Sequence, residues 1–243
     1  MESRKIVIAL FDVLGFENRL STDGLKRFVL AYEKLSDIVR QSRDTLIIDG
    51  GANARQMDDG SILSEVRMGS LIVEQAYFFD TILLWTIFDQ VRFWTFCNVC
   101  AEFVCEILNF GMPLRGGISI GEAHMDKKTN TYLGYPLIEA ARVEKAQQWI
   151  GVSFGPSFTH EPYCRMFRPE SILFFAAHRK TDAEGAQYIP GIVLDWPRKW
   201  RKMYQVSLCR HLAEMNTNEK YSIYYQNTIR FAEMSRDREK KES

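Results

Sequence analysis

A twenty-residue apolar segment, residues 91–110, limits the possible folds more than any other part of the chain. Its hydrophobic side chains fall on nearly every face of a helix, so other elements must cover such a helix on most sides. Gly111 and Pro113 follow the segment, as expected where a helix ends. A chain of 243 residues is long enough to supply that cover, and we expect one α/β domain with a large core.

Short apolar and β-branched segments predict the strands of this domain. Residues 5–11 are expected to form a buried strand, and residues 71–79 and 81–88 a hairpin. The further predicted strands are residues 114–120, 151–155, 172–176 and 188–194. Two segments rich in Gly, Asp or other polar residues predict loops, at 49–61 and 122–131.

Hydrophobic spacing of helical period predicts helices over residues 25–39 and 136–150. We divide the chain into an α/β domain, residues 1–195, and a helical C-terminal extension, residues 196–243. The extension is expected to contain two helices broken near residues 216–218, followed by a charged tail that frays.

The overall charge excludes some classes of partner. Lys and Arg number 31 and Asp and Glu also number 31, so no surplus of basic residues favours nucleic acid or an anionic membrane. The longest apolar stretch is interrupted by Glu74 and Asp80, which argues against a membrane span. The N-terminal apolar run has no small-residue cleavage site after it, so we expect a cytosolic protein. Cys97 and Cys100 lack a second ligand pair and are expected to be core residues.

Two acidic residues lie in strongly apolar surroundings. Asp12 ends the first predicted strand, just before Gly15, and Asp80 lies inside the predicted hairpin. A carboxylate among such neighbours is costly unless it is paired, hydrogen-bonded or bound to a metal. Each Asp on its own could be a turn or capping residue. Together they indicate a site for Mg²⁺ or Mn²⁺, which bind few protein carboxylates plus substrate phosphates.

Two arginines are candidates for contacts with phosphate. Arg142 lies about two turns into the helix that follows Gly134, where it is either a solvated charge or a group that stabilises a transferring phosphoryl group. Arg115 lies on a strand near the predicted site. It could contact a triphosphate or a base, or form a structural ion pair.

Four segments together resemble the catalytic domain of the class III nucleotide cyclases, and among these the bacterial Pycsar pyrimidine cyclases. They are, in order, FDVLGF, FFDTILLW, PLRGGISIG and YLGYPLIEAARVEKA, within residues 4–156. The resemblance implies a ferredoxin-like α/β fold that acts as a homodimer with shared active sites. It implies two divalent ions per site, Mn²⁺ or Mg²⁺, and attack of a ribose 3′-hydroxyl on the α-phosphorus with loss of pyrophosphate.

The resemblance also implies roles for individual residues. Asp12 and Asp80 would bind the metal ions, together with the backbone carbonyl of Val13. Arg142 would stabilise the transition state in the site of the partner subunit. The substrate contacts would include the turn after the first strand, at Phe11, Leu14, Gly15 and Phe16, with the amides of residues 14–16 around a phosphate.

Three positions differ from the family pattern. Ile138 stands where many members have an Asn that orients the ribose. Ala76 and Thr131 stand where purine cyclases have a Lys and an acid that read the base. A hydroxyl of Tyr77 or Thr131 could contact a base, but a hydroxyl both donates and accepts and does not choose between uracil and cytosine.

The resemblance favours conversion of UTP to cyclic UMP, a second messenger that a separate effector protein would detect during anti-phage defence. The alternatives are cyclisation of CTP, cyclisation of a purine nucleotide, and a non-catalytic nucleotide-binding sensor.

Overall fold

An eight-stranded sheet organises the described part of the chain. The structure is a computed structural model, and it describes residues 4–43, 46–50, 55–56, 62–63, 66–70, 72–160, 162–166, 172–174, 180 and 190–242. The strands are β1 (Arg4–Val13), β2 (Leu46–Gly50), β3 (Arg55–Gln56), β4 (Ile62–Leu63), β5 (Val66–Ser70), β6 (Glu74–Phe78), β7 (Thr81–Ile87), β8 (Leu114–Asp126), β9 (Thr131–Gly134), β10 (Gly151–Phe154), β11 (Ile172–Phe174) and β12 (Ile192–Leu194).

The helices flank this sheet. They are α1 (Phe16–Asp23), α2 (Leu25–Arg43), α3 (Gln90–Asn109), α4 (Tyr135–Lys145), α5 (Trp196–Met203), α6 (Leu208–Met215) and α7 (Ser222–Glu242). Three short 3₁₀ helices add Pro156–Thr159, Tyr163–Met166 and Glu219–Tyr221. Within the described ranges, no helix combines the length and the apolarity that crossing a membrane requires.

Strand β1 lies at the centre of the sheet, between β7 and β8. The strand order is β11-β12-β10-β8-β1-β7-β6, and β9 pairs with the C-terminal half of β8. Both neighbours of β1 are antiparallel to it, with Asp12 opposite Thr81 on one side and Arg115 on the other. The C-terminal end of β1 therefore meets the start of both neighbouring strands.

The two faces of β1 enter different apolar clusters because side chains alternate along a strand. Val7, Ala9 and Phe11 join the main core, which α2 and α3 share. Ile6 and Ile8 join a smaller cluster on the opposite face. The expected burial of α3 is confirmed, and Cys97 and Cys100 lie in the main core, where burial raises the pKa of their thiols.

The C-terminal extension contains three helices rather than the two we predicted. Trp196, Trp200 and Phe231 are buried in the main core, so α5 and α7 pack onto the preceding residues. The charged tail is helical within the described residues: α7 continues to Glu242, which forms an ion pair with Arg198 at 3.0 Å. Long-range ion pairs of this kind leave no mark on the local sequence pattern.

Polar contacts hold α7 against the segment that leads into β10. The Asn227 side chain donates to the Gln148 carbonyl at 2.7 Å. The buried Thr228 hydroxyl accepts from the Ile150 amide at 2.7 Å and donates to the Tyr224 carbonyl at 2.7 Å. These bonds satisfy groups that would otherwise be buried without partners, and they fix the position of α7 along its axis.

Three further predictions about elements were wrong. Residues 122–131 are not a loop, because β8 continues to Asp126 and pairs there with Thr131 of β9. The helix predicted over 136–150 ends at Lys145, because the side chain of Gln147 bonds instead to the Gly116 carbonyl at 2.7 Å and the Ser153 hydroxyl at 2.7 Å. In the segment 49–61, Gly50 ends β2 and Arg55 begins β3.

Other parts of the predicted segments lie outside the described residues. They are residues 51–54, 57–61, 71, 175–176 and 188–189.

Replacing Thr228 with Val should destabilise the protein by about 1–3 kcal/mol, because it leaves the buried Ile150 amide without its acceptor at nearly constant volume. Urea unfolding followed by circular dichroism measures the change. The matched control is Thr22→Val on the exposed side of α1, for which we expect less than about 0.5 kcal/mol. Equal losses in the two variants would show that the Thr228 bond does not hold α7.

Candidate active site

The structure brings the two predicted metal-binding acids to one edge of the sheet. Asp12 lies at the end of β1 opposite Thr81, and Asp80 directly precedes Thr81 in the tight turn before β7. The Val13 amide donates to the Asp80 carbonyl at 3.0 Å, which ties the two strand ends together. The antiparallel pairing of β1 with β7 thus places two carboxylates, far apart in sequence, beside each other.

Arg115 is held between acidic side chains. Its Nε lies 3.3 Å from Asp12 Oδ2 and also forms an ion pair with Glu144 Oε1. The side chain of Glu144 is 4% exposed, and burial raises its pKa to about 7, with Arg115 opposing that shift. Burial also raises the pKa of Asp12, Arg115 lowers it, and Asp80 raises it further. Of the two readings of Arg115, the structure shows the ion pair.

This carboxylate arrangement suits divalent ions. In the described part of the chain, no cluster of three or more His, Cys, Asp or Glu side chains could hold a metal. Mg²⁺, however, commonly uses one or two protein carboxylates and completes its shell with water and phosphate oxygens. Asp12 already forms an ion pair with the Arg115 guanidinium, so its carboxylate is placed where a cation can bind it. Asp12 and Asp80 therefore fit Mg²⁺ or Mn²⁺, and Val13 lies beside them as the predicted carbonyl ligand.

The turn between β1 and α1 presents amides to the same edge. Gly15 has φ +71°, a backbone conformation that glycine adopts without strain, and α1 begins at the next residue. The amides in the first turn of a helix have no partners within it and attract anions. The prediction for Leu14 needs correction, because its amide donates to the Pro113 carbonyl at 2.9 Å. Gly15 and Phe16 remain as the amides for a phosphate.

Phe11 does not offer its side chain to a substrate. It is fully buried in the main core, with its ring centroid 5.3 Å from that of Phe103. Its backbone is paired in the sheet with Ile82 on one side and Gly116 on the other. Phe11 therefore supports the strand that carries Asp12.

Arg19 holds the turn between β1 and α1 through three hydrogen bonds. Its guanidinium donates to the Leu14 carbonyl at 3.2 Å, to the Gly111 carbonyl at 2.5 Å and to the Tyr225 hydroxyl at 3.0 Å. These groups belong to three distant parts of the chain. Sequence reasoning missed Arg19 because an exposed-looking arginine on a short helix gives no local signal of such contacts.

Arg142 and Glu144 lie on different faces of α4. They are two residues apart, which corresponds to about 200° around an α-helix. Glu144 is buried beside Arg115, whereas Arg142 is exposed on the face that also carries Ile138, which is 49% exposed. Arg142 therefore lies on a different face of α4 from the residue that forms the ion pair with Arg115. Sequence reasoning also missed Glu144, although its spacing of four residues from the buried Ala140 was a usable signal.

The Tyr77 side chain lies on the side of the sheet that faces α2. The Tyr77 ring packs 5.0 Å from that of Tyr32, and its hydroxyl bonds to Gln75 at 2.9 Å and Ser36 at 3.2 Å. Tyr77 thus contacts α2 and the main core.

Thr131 pairs with Asp126 on β8, and the ring of its neighbour Tyr132 lies 5.7 Å from the Phe78 ring, measured between ring centres. Ala76 packs against the smaller cluster on the opposite face of the sheet from Tyr77, beside which Tyr132 also packs. The side chains of Ala76 and Tyr77 therefore lie on opposite faces of β6, and a contact between the Tyr77 hydroxyl and a base stays a prediction.

The fold is similar to solved structures of nucleotide cyclase domains. The catalytic core of a rhodopsin-guanylyl cyclase with converted specificity, in complex with ATPαS, gives a TM-score of 0.50 at 12% sequence identity. That match covers 80% of this chain and 96% of the other. The guanylate cyclase domain of RhGC from Catenaria anguillulae, in complex with GTP, gives a TM-score of 0.48 at 12% identity and covers 72% and 90% of the two chains.

No protein-family model matches the sequence, and no curated protein matches it. The likeness at TM-score 0.50 therefore concerns the fold. Its shared architecture is a sheet of mostly antiparallel strands flanked by helices, as predicted from the sequence. By this measure the chain has the α/β fold of the class III nucleotide cyclase catalytic domain.

Proposed function

We propose that the protein is a pyrimidine nucleotide cyclase that converts UTP to 3′,5′-cyclic UMP and pyrophosphate. The observation that carries this proposal is the meeting of Asp12 and Asp80 at one sheet edge, beside the amides of the Gly15 turn, in a cyclase fold. Carboxylates for divalent ions and amides for phosphate are the two kinds of group that a metal-bound triphosphate needs.

The reaction forms a bond between the ribose 3′-oxygen and the α-phosphorus and breaks the bond from that phosphorus to pyrophosphate. Divalent ions bound by Asp12 and Asp80 would neutralise the triphosphate and make the 3′-hydroxyl easier to deprotonate. The amides of Gly15 and Phe16 would orient the phosphates. Arg115, which neutralises Asp12 in this structure, would contact the triphosphate once the ions take over that carboxylate.

A homodimer would complete the site. Arg142 lies on the exposed face of α4 and Glu144 on the buried face, and we infer that Arg142 acts in the site of a second copy. Large exposed apolar side chains lie near it in the sequence: Tyr135 (65% exposed) and Ile138 (49%) on α4, and Leu133 (57%) on the preceding β9. Exposed apolar groups of this size are typical of an interface. Two-fold symmetry would then give two equivalent sites, each with the Arg142 of the partner.

The preference for a pyrimidine rests on what the base-reading positions carry. Ala76 and Thr131 offer a methyl group and a hydroxyl where a charged pair would read a purine. The same positions accommodate CTP, which is the first alternative, and cyclisation of a purine nucleotide is the second.

A non-catalytic nucleotide-binding sensor is a further candidate, and one observation favours it. Ile138 shares the exposed face of α4 with Arg142, so in a dimer an apolar group would occupy the place expected to orient the ribose.

Incubation with Mn²⁺ and each of ATP, GTP, CTP and UTP should yield cyclic UMP, identified by mass spectrometry. Asp12→Asn and Asp80→Asn should each lower the rate by at least about a thousandfold, because each removes a metal-binding charge. Asp237→Asn, exposed on α7 and outside the candidate site, is the matched control and should retain full activity.

Each other outcome has a definite meaning. Cyclic CMP, or a cyclic purine nucleotide, would overturn the proposed base and keep the proposed chemistry. Triphosphate binding that raises the melting temperature without turnover would replace the enzyme by the sensor. Full activity of either Asp variant at the metal site would contradict the proposed metal ligands.

Mixing the Asp12→Asn and Arg142→Ala variants should restore about a quarter of the wild-type activity. Random exchange of subunits makes half of the dimers mixed, and each mixed dimer has one intact composite site of two. The activity of the mixture is compared with that of each variant alone, after mass spectrometry of the intact dimers shows that subunits have exchanged. Activity no higher than the sum of the two separate variants would exclude a shared site.

We further propose that the product is a second messenger of anti-phage defence, detected by a separate effector protein. Support for this role comes from the resemblance of the four sequence segments to Pycsar cyclases. Cells that express the wild-type protein with its effector should give fewer plaques than cells with the Asp80→Asn variant, and Asp237→Asn should protect like wild type. Equal plaque counts for wild type and Asp80→Asn would remove the defence role.

A further inference from the structure

Three tyrosines at the start of α7 and at the end of the 3₁₀ helix before it reach the candidate active site. The Tyr221 ring packs against Gly15, with its Cε2 atom 3.3 Å from the position that a Cβ on that glycine would take. The Tyr225 hydroxyl accepts a hydrogen bond from Arg19, which also donates to the Leu14 carbonyl in the turn between β1 and α1. The third, Tyr224, contacts Arg115. A helix outside the segment that resembles a cyclase therefore touches three components of the site.

Tyr224 contacts one edge of the Arg115 guanidinium, and the carboxylates of Asp12 and Glu144 contact the other edge. Arg115 Nη1 donates to the Tyr224 hydroxyl at 3.4 Å, and Cζ lies 5.9 Å from the centre of the Tyr224 ring. Nε faces Asp12 and Glu144. The Arg115 side chain is only 15% exposed, so these three groups define the position of its planar fork.

Tyr224 itself is held from the other side. The Tyr224 carbonyl accepts from Thr228, and the Thr228 hydroxyl accepts from the Ile150 amide at the start of β10. Strand β10 pairs with β8 in parallel, with Gly151 opposite Arg115. Tyr224 and Arg115 are therefore fixed to adjacent strands of the same sheet, which gives the contact a defined geometry.

We propose that Tyr224 is a positioning residue that keeps the Arg115 guanidinium at the mouth of the site, ready to bind the triphosphate when divalent ions take Asp12. This inference rests on the proposed function for the part that concerns nucleotide. Without the tyrosine hydroxyl, the carboxylates alone would define the position of Arg115, and it would stay on Glu144 when the triphosphate arrives. If the Tyr224 hydroxyl positions Arg115 in this way, α7 is part of the nucleotide site.

The first test is a double-mutant cycle of Tyr224→Phe with Arg115→Lys. Lysine keeps the positive charge beside Asp12 and Glu144 but lacks the second edge that reaches Tyr224. The readout is the dissociation constant of Mn²⁺ with 3′-deoxy-UTP, which lacks the attacking hydroxyl, measured by calorimetry. Tyr224→Phe should weaken binding about fivefold with Arg115 present, the size expected for one hydrogen bond. In the Arg115→Lys background, Tyr224→Phe should change the dissociation constant less than about twofold, because the contact is already lost.

Turnover gives a second measure. Tyr224→Phe should raise KM for UTP about fivefold and change kcat less than about twofold, because the bond acts on triphosphate binding. Tyr163→Phe is the matched control: its hydroxyl faces Lys5 at the opposite end of β1, and neither constant should change. Equal weakening by Tyr224→Phe in both Arg115 backgrounds would show that Tyr224 does not act through Arg115 and would overturn the proposal.

A third readout needs no nucleotide. The ¹⁵N–¹H resonance of Arg115 Nε should shift or broaden in Tyr224→Phe and stay unchanged in Tyr163→Phe. An unchanged resonance in Tyr224→Phe would overturn the positioning contact whatever the activity. If the resonance moves but wild-type protein binds none of the four triphosphates with Mn²⁺, the contact stands, while the proposed function and the role of Tyr224 in it are overturned.

Discussion

The Arg115 guanidinium lies between the carboxylates of Asp12 and Glu144, and the rest of the candidate site depends on this arrangement of charge. Taking an ion pair out of water costs free energy that only good geometry and further partners offset. Here the central strand β1 supplies one acid, α4 the other and α7 a hydroxyl. The cluster contains more acidic than basic side chains, a charge balance that fits the proposed binding of divalent ions.

The position of β1 explains why the site forms at this edge. Both neighbouring strands are antiparallel to β1, so their starts meet its end. Strand β7 begins directly after Asp80, and β8 carries Arg115 near its start. The turn after β1 adds the amides of a helix start at the same place. Three separate sequence segments thus converge through backbone pairing alone, and side-chain contacts such as those of Arg19 then fix the turn.

The sequence was sufficient where the physical signal is local. Asp12 follows an apolar strand, Asp80 interrupts an apolar hairpin, and the apolar α3 segment requires cover on most sides. It was insufficient where the cause is distant: Glu144 and Arg19 matter through partners that only the fold brings near. The segment 122–131 was mistaken for a loop because its residues are mostly polar and give no strand pattern. Backbone pairing between β8 and β9 makes much of it a hairpin.

The contact between Arg19 and Tyr225 joins residues that are 206 positions apart. During synthesis the turn after β1 emerges early, whereas α7 emerges only after all the other described elements. Contacts of such long sequence separation form late, because the intervening chain must first lose its conformational entropy. A nascent chain therefore carries both acids of the candidate site, Asp12 and Asp80, for most of its synthesis without the helix that contacts the turn and Arg115. The order of translation itself delays the moment at which the site can be complete.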